Sequence, residues 1–420
     1  MTVTDTDTDT DDILVIGAGI IGLSAALELQ KQGLRVRILD RKGVAAEASA
    51  ASAGAFAFTD IVPLATPGIL RKAPKWLLDP LGPLSVPPAY ALRIAPWMLR
   101  FWRASWRSRY QAALQAQVLL MAHSRAALER QIADVDGTLL MQREGQLQLY
   151  EGETAFRAAL PDWQLRREHG IRFDLLRSPE AIAVIQPGLA QCFTHAAFTP
   201  DWMNTVNPKT WAEHLAQAFV ARGGRIDTAE VTALRSEGGR TVAQTKDGPV
   251  SASQIVTACG AWSHHLARTL GENIPLETER GYNTTLPPGA FGLKTHLTFP
   301  AHGFVVTRIS GGVRVGGAVE LGGLKLPPNY RRADILLEKA KRFLPELDTS
   351  GGTRWMGFRP SLPDSLPVIS RSARAPGVIY AFGHGHLGLT QAAGTAELVA
   401  DLALNRASTL PLQPYAATRF

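Results

Sequence analysis

Three short stretches carry residue types that could do chemistry. FGHGHLGLT, Phe382–Thr390, sets His384 and His386 among Gly383, Gly385 and Gly388, just ahead of a helical pattern that starts near Thr390. Glycines at a helix entry let backbone N–H groups reach a ligand. The imidazoles could line a cavity, accept a proton from an ammonium, bind a hydroxyl, or simply be satisfied by the backbone. Their spacing is too short for two metal ligands on one helix face, and no nearby carboxylate completes a metal site. GFRPSLPD, Gly357–Asp364, places Arg359 in a turn stiffened by Pro360, Pro363 and Pro367. A guanidinium there can grip an oxyanion with two parallel hydrogen bonds, or lie on the surface of a proline loop. Gly17, Gly19 and Gly22 form G-x-G-x-x-G, with Asp40 downstream. The first glycine permits a tight turn, the second lets backbone approach a pyrophosphate, the third lets helix and strand pack, and the acid suits ribose hydroxyls. Tyr282 and Phe304 are aromatics that could line a cavity or pack in a core.

These groups need elements to hold them. ILVIGAGIIGLSAALELQKQGLRVRILD reads as strand, tight turn, helix, strand, with Gly33 stopping the helix. The apolar run Ile13–Ile16 is of the kind buried in a parallel sheet. EASAASAGAFA, Glu47–Ala57, is almost all small residues, which lets backbone approach a flat ligand or makes a plain linker. VTACGAWS ends a strand with Ala258, Gly260 and Ala261. Pro208 and Gly223-Gly224 bracket a helix, and 111–132 reads as another. Turns are expected at Gly238-Gly239 and Gly311-Gly312. The pattern gives an α/β protein: a Rossmann-like cofactor domain from discontinuous segments (12–60, 205–275 and 355–420) and a mixed-sheet α+β substrate domain (61–204 and 276–354). Residues 1–11, acidic and low in complexity, are expected to be disordered and do not fit a signal peptide.

Composition narrows the class. In 420 residues, 45% are hydrophobic and 19% charged, enough apolar mass for a large core, and the net charge of +7 is mildly basic. No nucleic-acid motif accompanies that charge. Cys192 and Cys259 form neither a CxxC nor a metal spacing, so two ordinary thiols in a reducing, cytoplasmic setting are expected. No apolar window is long enough for a transmembrane helix. YALRIAPWMLRFWRASWRSRY, Tyr90–Tyr110, interleaves Trp97, Trp102 and Trp106 with five arginines and no acid. It suits peripheral contact with the inner face of a membrane, or a helix whose tryptophans face the core; the second is preferred.

Taken together, VIGAGIIGLSAALELQKQGLRVRILDR, EASAASAG, VTACGAWS, GFRPSLPDSLPVIS and GHGHLGLTQAAGTAELVADL resemble the FAD-dependent D-amino acid oxidoreductase superfamily. That superfamily includes glycine oxidase and sarcosine oxidase, and the nearest likeness is to the D-amino acid dehydrogenases and hydroxy-D-proline dehydrogenases. The resemblance implies FAD, with its isoalloxazine at the domain interface and the glycine loop near residue 385 facing the ring. It implies cofactor contacts from Gly17, Gly19, Ile20, Gly22, Asp40, Arg41, Ser49, Ser52, Ala53, Gly54, Val231, Ala258, Gly260, Trp262, Gly383, Gly385, Gly388, Leu389 and Thr390. With no Cys or His between Gly43 and Asp60, and no Cys near the C-terminal motif, the FAD is expected to be non-covalent. Arg359 would hold a substrate carboxylate. At His386 the chain departs from glycine oxidase, which has an arginine near that position, and a two-arginine clamp is not implied.

The implied activity is oxidation of the Cα–N bond of a D-amino acid, including D-proline types, by hydride transfer to flavin N5. Electrons would pass to a quinone, another redox protein or O2. A sarcosine-type amine oxidase and a 2-hydroxy acid dehydrogenase are alternatives on the same fold. An NAD-dependent dehydrogenase and a non-catalytic flavin-binding subunit are alternatives from other classes.

Overall fold

The computed structural model describes residues 11–69, 84–237 and 240–420. The expected disorder of residues 1–10 and the expected turn at Gly238-Gly239 lie outside the described residues.

A six-stranded sheet organises one half. Its order is Arg225–Thr228, Val36–Asp40, Ile13–Ile16, Gln254–Thr257, Val378–Phe382, Val368–Arg371. The first five strands run parallel and the last antiparallel. Runs such as ILVI and VIYAF are apolar throughout because both faces of this sheet are covered. On one face Ile13, Val15, Val256 and Ile379 pack with Leu23 and Leu27 of helix Ile20–Lys31 and Leu398 and Val399 of helix Gly388–Ala403. Helix Arg107–Asp134, longer at both ends than expected, adds Leu120 and Leu128, and helix Pro208–Ala221 adds Trp211, Leu215 and Phe219. On the other face Leu14, Ile16 and Ile255 pack against a three-stranded antiparallel meander over 231–252.

The glycine turn between the first strand and helix is steric in origin. Gly17 has φ +111°, and a Cβ there would sit 2.4 Å from the Ala258 carbonyl oxygen. A Cβ on Gly22 would sit 1.9 Å from the Gly17 carbonyl oxygen, so the helix packs onto the turn only because Gly22 has no side chain.

The second half is a large mixed sheet. Its order is Thr353–Ser361, Glu277–Leu286, Gly312–Glu320, Phe304–Ile309, His296–Phe299, Gln146–Glu151, Phe193–Thr199, Asp174–Leu176, with Leu84–Ser85 paired onto Gly312–Glu320. Strand Thr353–Ser361 carries Arg359 into this sheet although the next strands of the chain join the other; this corrects the expected turn at Arg359, because Arg359 and Pro360 pair with Glu279 and Thr278. One face packs on helix Arg331–Phe343 through Leu147, Phe299, Phe304, Leu336 and Phe343. The other face looks toward the six-stranded sheet across a cavity. A small sheet of Ala55–Phe56, Met203–Thr205 and Met141–Gln142 ties the halves together.

Helix Ala91–Ala104 corrects the preference for a core-facing tryptophan helix. Trp97 does pack inward, with Tyr90, Ile94 and Leu321. Trp102 and Trp106 do not: both are exposed, with their rings edge-on to one another at 5.7 Å. No described helix is long and apolar enough to cross a membrane.

Candidate active site

A cavity of about 690 Å³ opens at the carboxyl ends of the parallel strands, where open α/β sheets bind ligands. Of the candidate catalytic and cofactor residues, all but Gly22, Gly54, Gly383 and Thr390 line it, and those four lie behind its wall. Gly22 admits the helix onto the turn. Gly54 (φ +69°) and Gly383 (φ +87°) hold left-handed backbone, and a Cβ on Gly383 would sit 2.3 Å from Leu362 Cδ1. The Thr390 hydroxyl accepts the Ala57 N–H at 3.0 Å, joining the glycine-loop helix to the small-residue segment.

The wall built by the six-stranded sheet is held by side chains that accept backbone donors. Asp40 takes the Ala18 N–H at 2.8 Å on one oxygen and those of Lys42 and Gly43, at 2.8 and 2.9 Å, on the other. A carboxylate offers about four acceptor positions, so Asp40 pins the turn and keeps roughly one for a ribose hydroxyl. Ser49 Oγ accepts the Ile20 N–H at 3.0 Å. The Arg41 guanidinium stacks 3.7 Å over the Trp262 ring and donates to Glu47 at 2.6 Å, forming a flat wall. Cys259 Sγ donates to the Ile16 carbonyl at 3.2 Å, and burial pushes its thiol up to about 12.

Sequence reasoning missed what fixes the small-residue segment. Arg314, from the large sheet, donates to the Ser52 carbonyl at 2.5 Å and to Thr285 Oγ1 at 2.8 Å. Asn283 donates to the Ala51 carbonyl at 2.8 Å. Burial lowers Arg314 to about 10. Asn204 bridges Trp202 Nε1, at 3.0 Å, and Thr307 Oγ1, at 2.9 Å, beside the buried ring of His296.

Arg359 stands on the facing wall. Its Nη1 donates to the Ala318 carbonyl at 2.9 Å, and burial lowers its pKa while Glu279 pulls the other way. Glu279 is its direct cross-strand partner. The guanidinium lies over Gly281, where a Cβ would be 2.1 Å from Nη2. Glu279, also missed, is buried and bonded to His386 Nε2. Burial works to raise the Glu279 carboxyl, but His386 and Arg359 outweigh it and leave it below its usual value. The signal available was acids and arginines inside the strand LETERGYNTTL, which reads as sheet yet carries charge.

The two histidines part company. His386 is part-exposed to the cavity. His384 is buried, its Nε2 2.9 Å from Thr395 Oγ1, and desolvation lowers it to about 3. That ring stays neutral and takes no proton at ordinary pH. Tyr282 lines the cavity with its hydroxyl committed to Glu320, while accepting the Asn329 N–H at 3.0 Å. Phe304 lines it from within an aromatic stack, 4.5 Å from Phe299. No cluster of three or more metal-ligating side chains occurs among the described residues.

A glycine-turn βαβ unit facing a half-buried guanidinium across one cleft is the architecture of a nucleotide-binding α/β protein. Residues 12–402 match the FAD dependent oxidoreductase family, and the chain belongs to that family. It is 31% identical over 416 residues to a D-amino-acid oxidase of Bradyrhizobium diazoefficiens, covering 97% of this chain and 98% of that one. It is 30% identical over 407 residues to a D-amino acid dehydrogenase of Vibrio cholerae, covering 95% and 96%. Glycine oxidase from Geobacillus kaustophilus shares the fold, with a TM-score of 0.77 over 98% of this chain and 99% of that one at 21% identity.

The residues present fit FAD. A Cβ at Gly260 would meet nothing within 4 Å, and one at Gly388 only His384 Cβ at 3.8 Å, so bare backbone faces open space along the cleft. The N-termini of helices Ile20–Lys31 and Gly388–Ala403 open onto the same space and favour a phosphate or an anionic ring edge.

The depressed histidines set a pH window. His384 and His296 both sit near 3 because burial disfavours the charged ring, against 6.5 in the open chain. Below 6.5 the unfolded chain binds protons that the folded one refuses, so stability falls as pH falls, by about 1.4 kcal/mol per pH unit for each ring. The thermal midpoint is expected to drop on going from pH 7.5 to pH values around 5, where the unfolded histidines are charged. His384→Asn should flatten that slope in melting curves; an unchanged slope contradicts the assignment.

Proposed function

We propose that this protein oxidises the Cα–N bond of a D-amino acid to the imino acid, with FAD held non-covalently. The half-buried guanidinium of Arg359, facing the cavity, carries the reading, because a partly desolvated charge there calls for an anionic partner that only partly exists within the fold. The likeness to a D-amino-acid oxidase and a D-amino acid dehydrogenase over nearly the whole chain supports it.

Bound FAD supplies the acceptor for the hydride from Cα. Arg359 receives the substrate carboxylate through two parallel hydrogen bonds, and its bond to the Ala318 carbonyl and its bed over Gly281 fix the direction in which it points. His386 takes the proton of the substrate ammonium, with Glu279 orienting the ring and balancing the charge that forms. Asp60 also lines the cavity near His386, and desolvation raises its carboxyl while Arg166 and His386 pull the other way. Buried His384 leaves this role to His386. The product leaves as the imine: a linear one hydrolyses to keto acid and ammonia, while a cyclic one can persist. Cys259 is held protonated by burial, and His296, His384 and His386 are engaged by Asn204, Thr395 and Glu279, which supports a non-covalent flavin.

Anaerobic mixing with matched D- and L-amino acids should bleach the flavin absorption with D-isomers. Bleaching by sarcosine or a 2-hydroxy acid in preference would overturn the assignment, as would no bleaching by any of them. Arg359→Ala should raise KM for a D-amino acid about 100-fold, the scale of a lost charge-assisted pair. Gly281→Ala should raise it in the same direction by displacing the guanidinium, with flavin content preserved in both variants. His386→Gln should lower kcat/KM about 100-fold with flavin content preserved; an unchanged kcat/KM excludes His386 as the proton acceptor.

A further inference from the structure

Helix Ala91–Ala104 carries two apolar stripes, and only one is covered among the described residues. Ile94, Trp97 and Phe101 pack toward Tyr90 and Leu321. On the far side Leu92, Ala95, Pro96, Leu99 and Trp102 recur at helical spacing, and Trp106 continues the line just past the helix end. Leu92 is 93% exposed, Leu99 54%, Trp106 47% and Trp102 37%. Large apolar side chains clustered in this way on a surface mark something they are meant to touch.

The charges around them say what. Arg93, Arg100, Arg103, Arg107 and Arg109 are all exposed, and no acid lies between Tyr90 and Tyr110. None of the five forms an ion pair among the described residues. Their contacts include the rings beside them: Arg93 lies 5.7 Å from Tyr90, and Arg103 and Arg109 lie 5.9 and 6.0 Å from Trp106. Elsewhere on the surface arginines are paired, as Arg130 with Glu397 and Arg143 with Glu129. Leucines and edge-on tryptophans flanked by unneutralised arginines have the chemistry of the interface of an anionic lipid bilayer, where indoles sit at headgroup level and basic side chains meet phosphates.

We propose that Tyr90–Arg109 is a membrane-docking element that lies in the headgroup layer of an anionic bilayer, with Leu92, Leu99, Trp102 and Trp106 inserted and the arginines on lipid phosphates. The position has a consequence for the cavity. The inner stripe of the helix packs on Val319, which also lines the cavity, and Tyr90 donates to Glu277, at the start of the strand that carries Glu279. A docked helix would therefore bring this element of the cavity wall to the side of the protein that faces the lipid.

The test is flotation of the FAD-loaded protein with vesicles of phosphatidylcholine alone or with about a third phosphatidylglycerol, an anionic lipid. Co-flotation is expected only with the anionic vesicles, with a blue shift of tryptophan emission. Arg100→Glu with Arg103→Glu should reduce the bound fraction at least tenfold, since each basic residue near the surface contributes roughly fivefold. Trp102→Ser with Trp106→Ser should also reduce it, while flavin reduction by substrate in solution stays unchanged. The proposal is overturned if the native protein does not float with anionic vesicles. It is also overturned if the tryptophan variant floats as well as native, or if the native protein forms a concentration-dependent dimer that the same variant abolishes, which would assign the face to a second copy of this chain.

Discussion

One buried carboxylate serves a guanidinium and an imidazole. Glu279 bonds to His386 and lies across the strand pair from Arg359, so Arg359 has no counter-charge wholly its own. Removing a guanidinium from water is costly unless it is paired and hydrogen-bonded, and here only the Ala318 carbonyl completes the job. The rest of the cleft follows from that deficit. The chain must supply a strand pair rigid enough to hold the three groups in register, a glycine for the guanidinium to rest on, and an opening that leaves the guanidinium accessible. The large sheet meets the first need, Gly281 the second and the cavity the third.

The cofactor wall is held from across the cleft. Arg314 and Asn283 grip the carbonyls of Ser52 and Ala51, while Thr390 and Ser49 bind backbone N–H groups from their own half. The segment Glu47–Ala57 is therefore pinned from both halves rather than left as a loop. Its small residues keep the surface flat, and the pinning keeps it there when no ligand presses on it. Preorganisation of this kind spares the ligand the entropy of ordering its own site.

The two histidines show how far local pattern reaches. In sequence they are equivalent, two residues apart between glycines. In the fold one ring turns inward to Thr395 and is silenced by burial, and the other turns to the cavity and a carboxylate. The aromatics behave likewise: Tyr282 and Phe304 do line the cavity, yet the hydroxyl of one and the ring of the other are already engaged. The tryptophans of Tyr90–Tyr110 split the same way, with Trp97 inward and Trp102 and Trp106 outward. In each pair, identical side chains acquire different chemistry from neighbours distant in the chain.

The sequence by itself determined what depends on neighbours a few residues apart. The glycine turn, the apolar strands that must be covered on both faces, and the helix ends at Pro208 and Gly223 all follow from backbone sterics and period. Only the tertiary structure decided which polar groups meet. Glu279 finds Arg359 across eighty residues and His386 across more than a hundred, and Arg314 reaches Ser52 across more than two hundred and fifty. No local rule encodes such pairings, because they arise where two sheets close on one another and each buried charge must take the partner within reach.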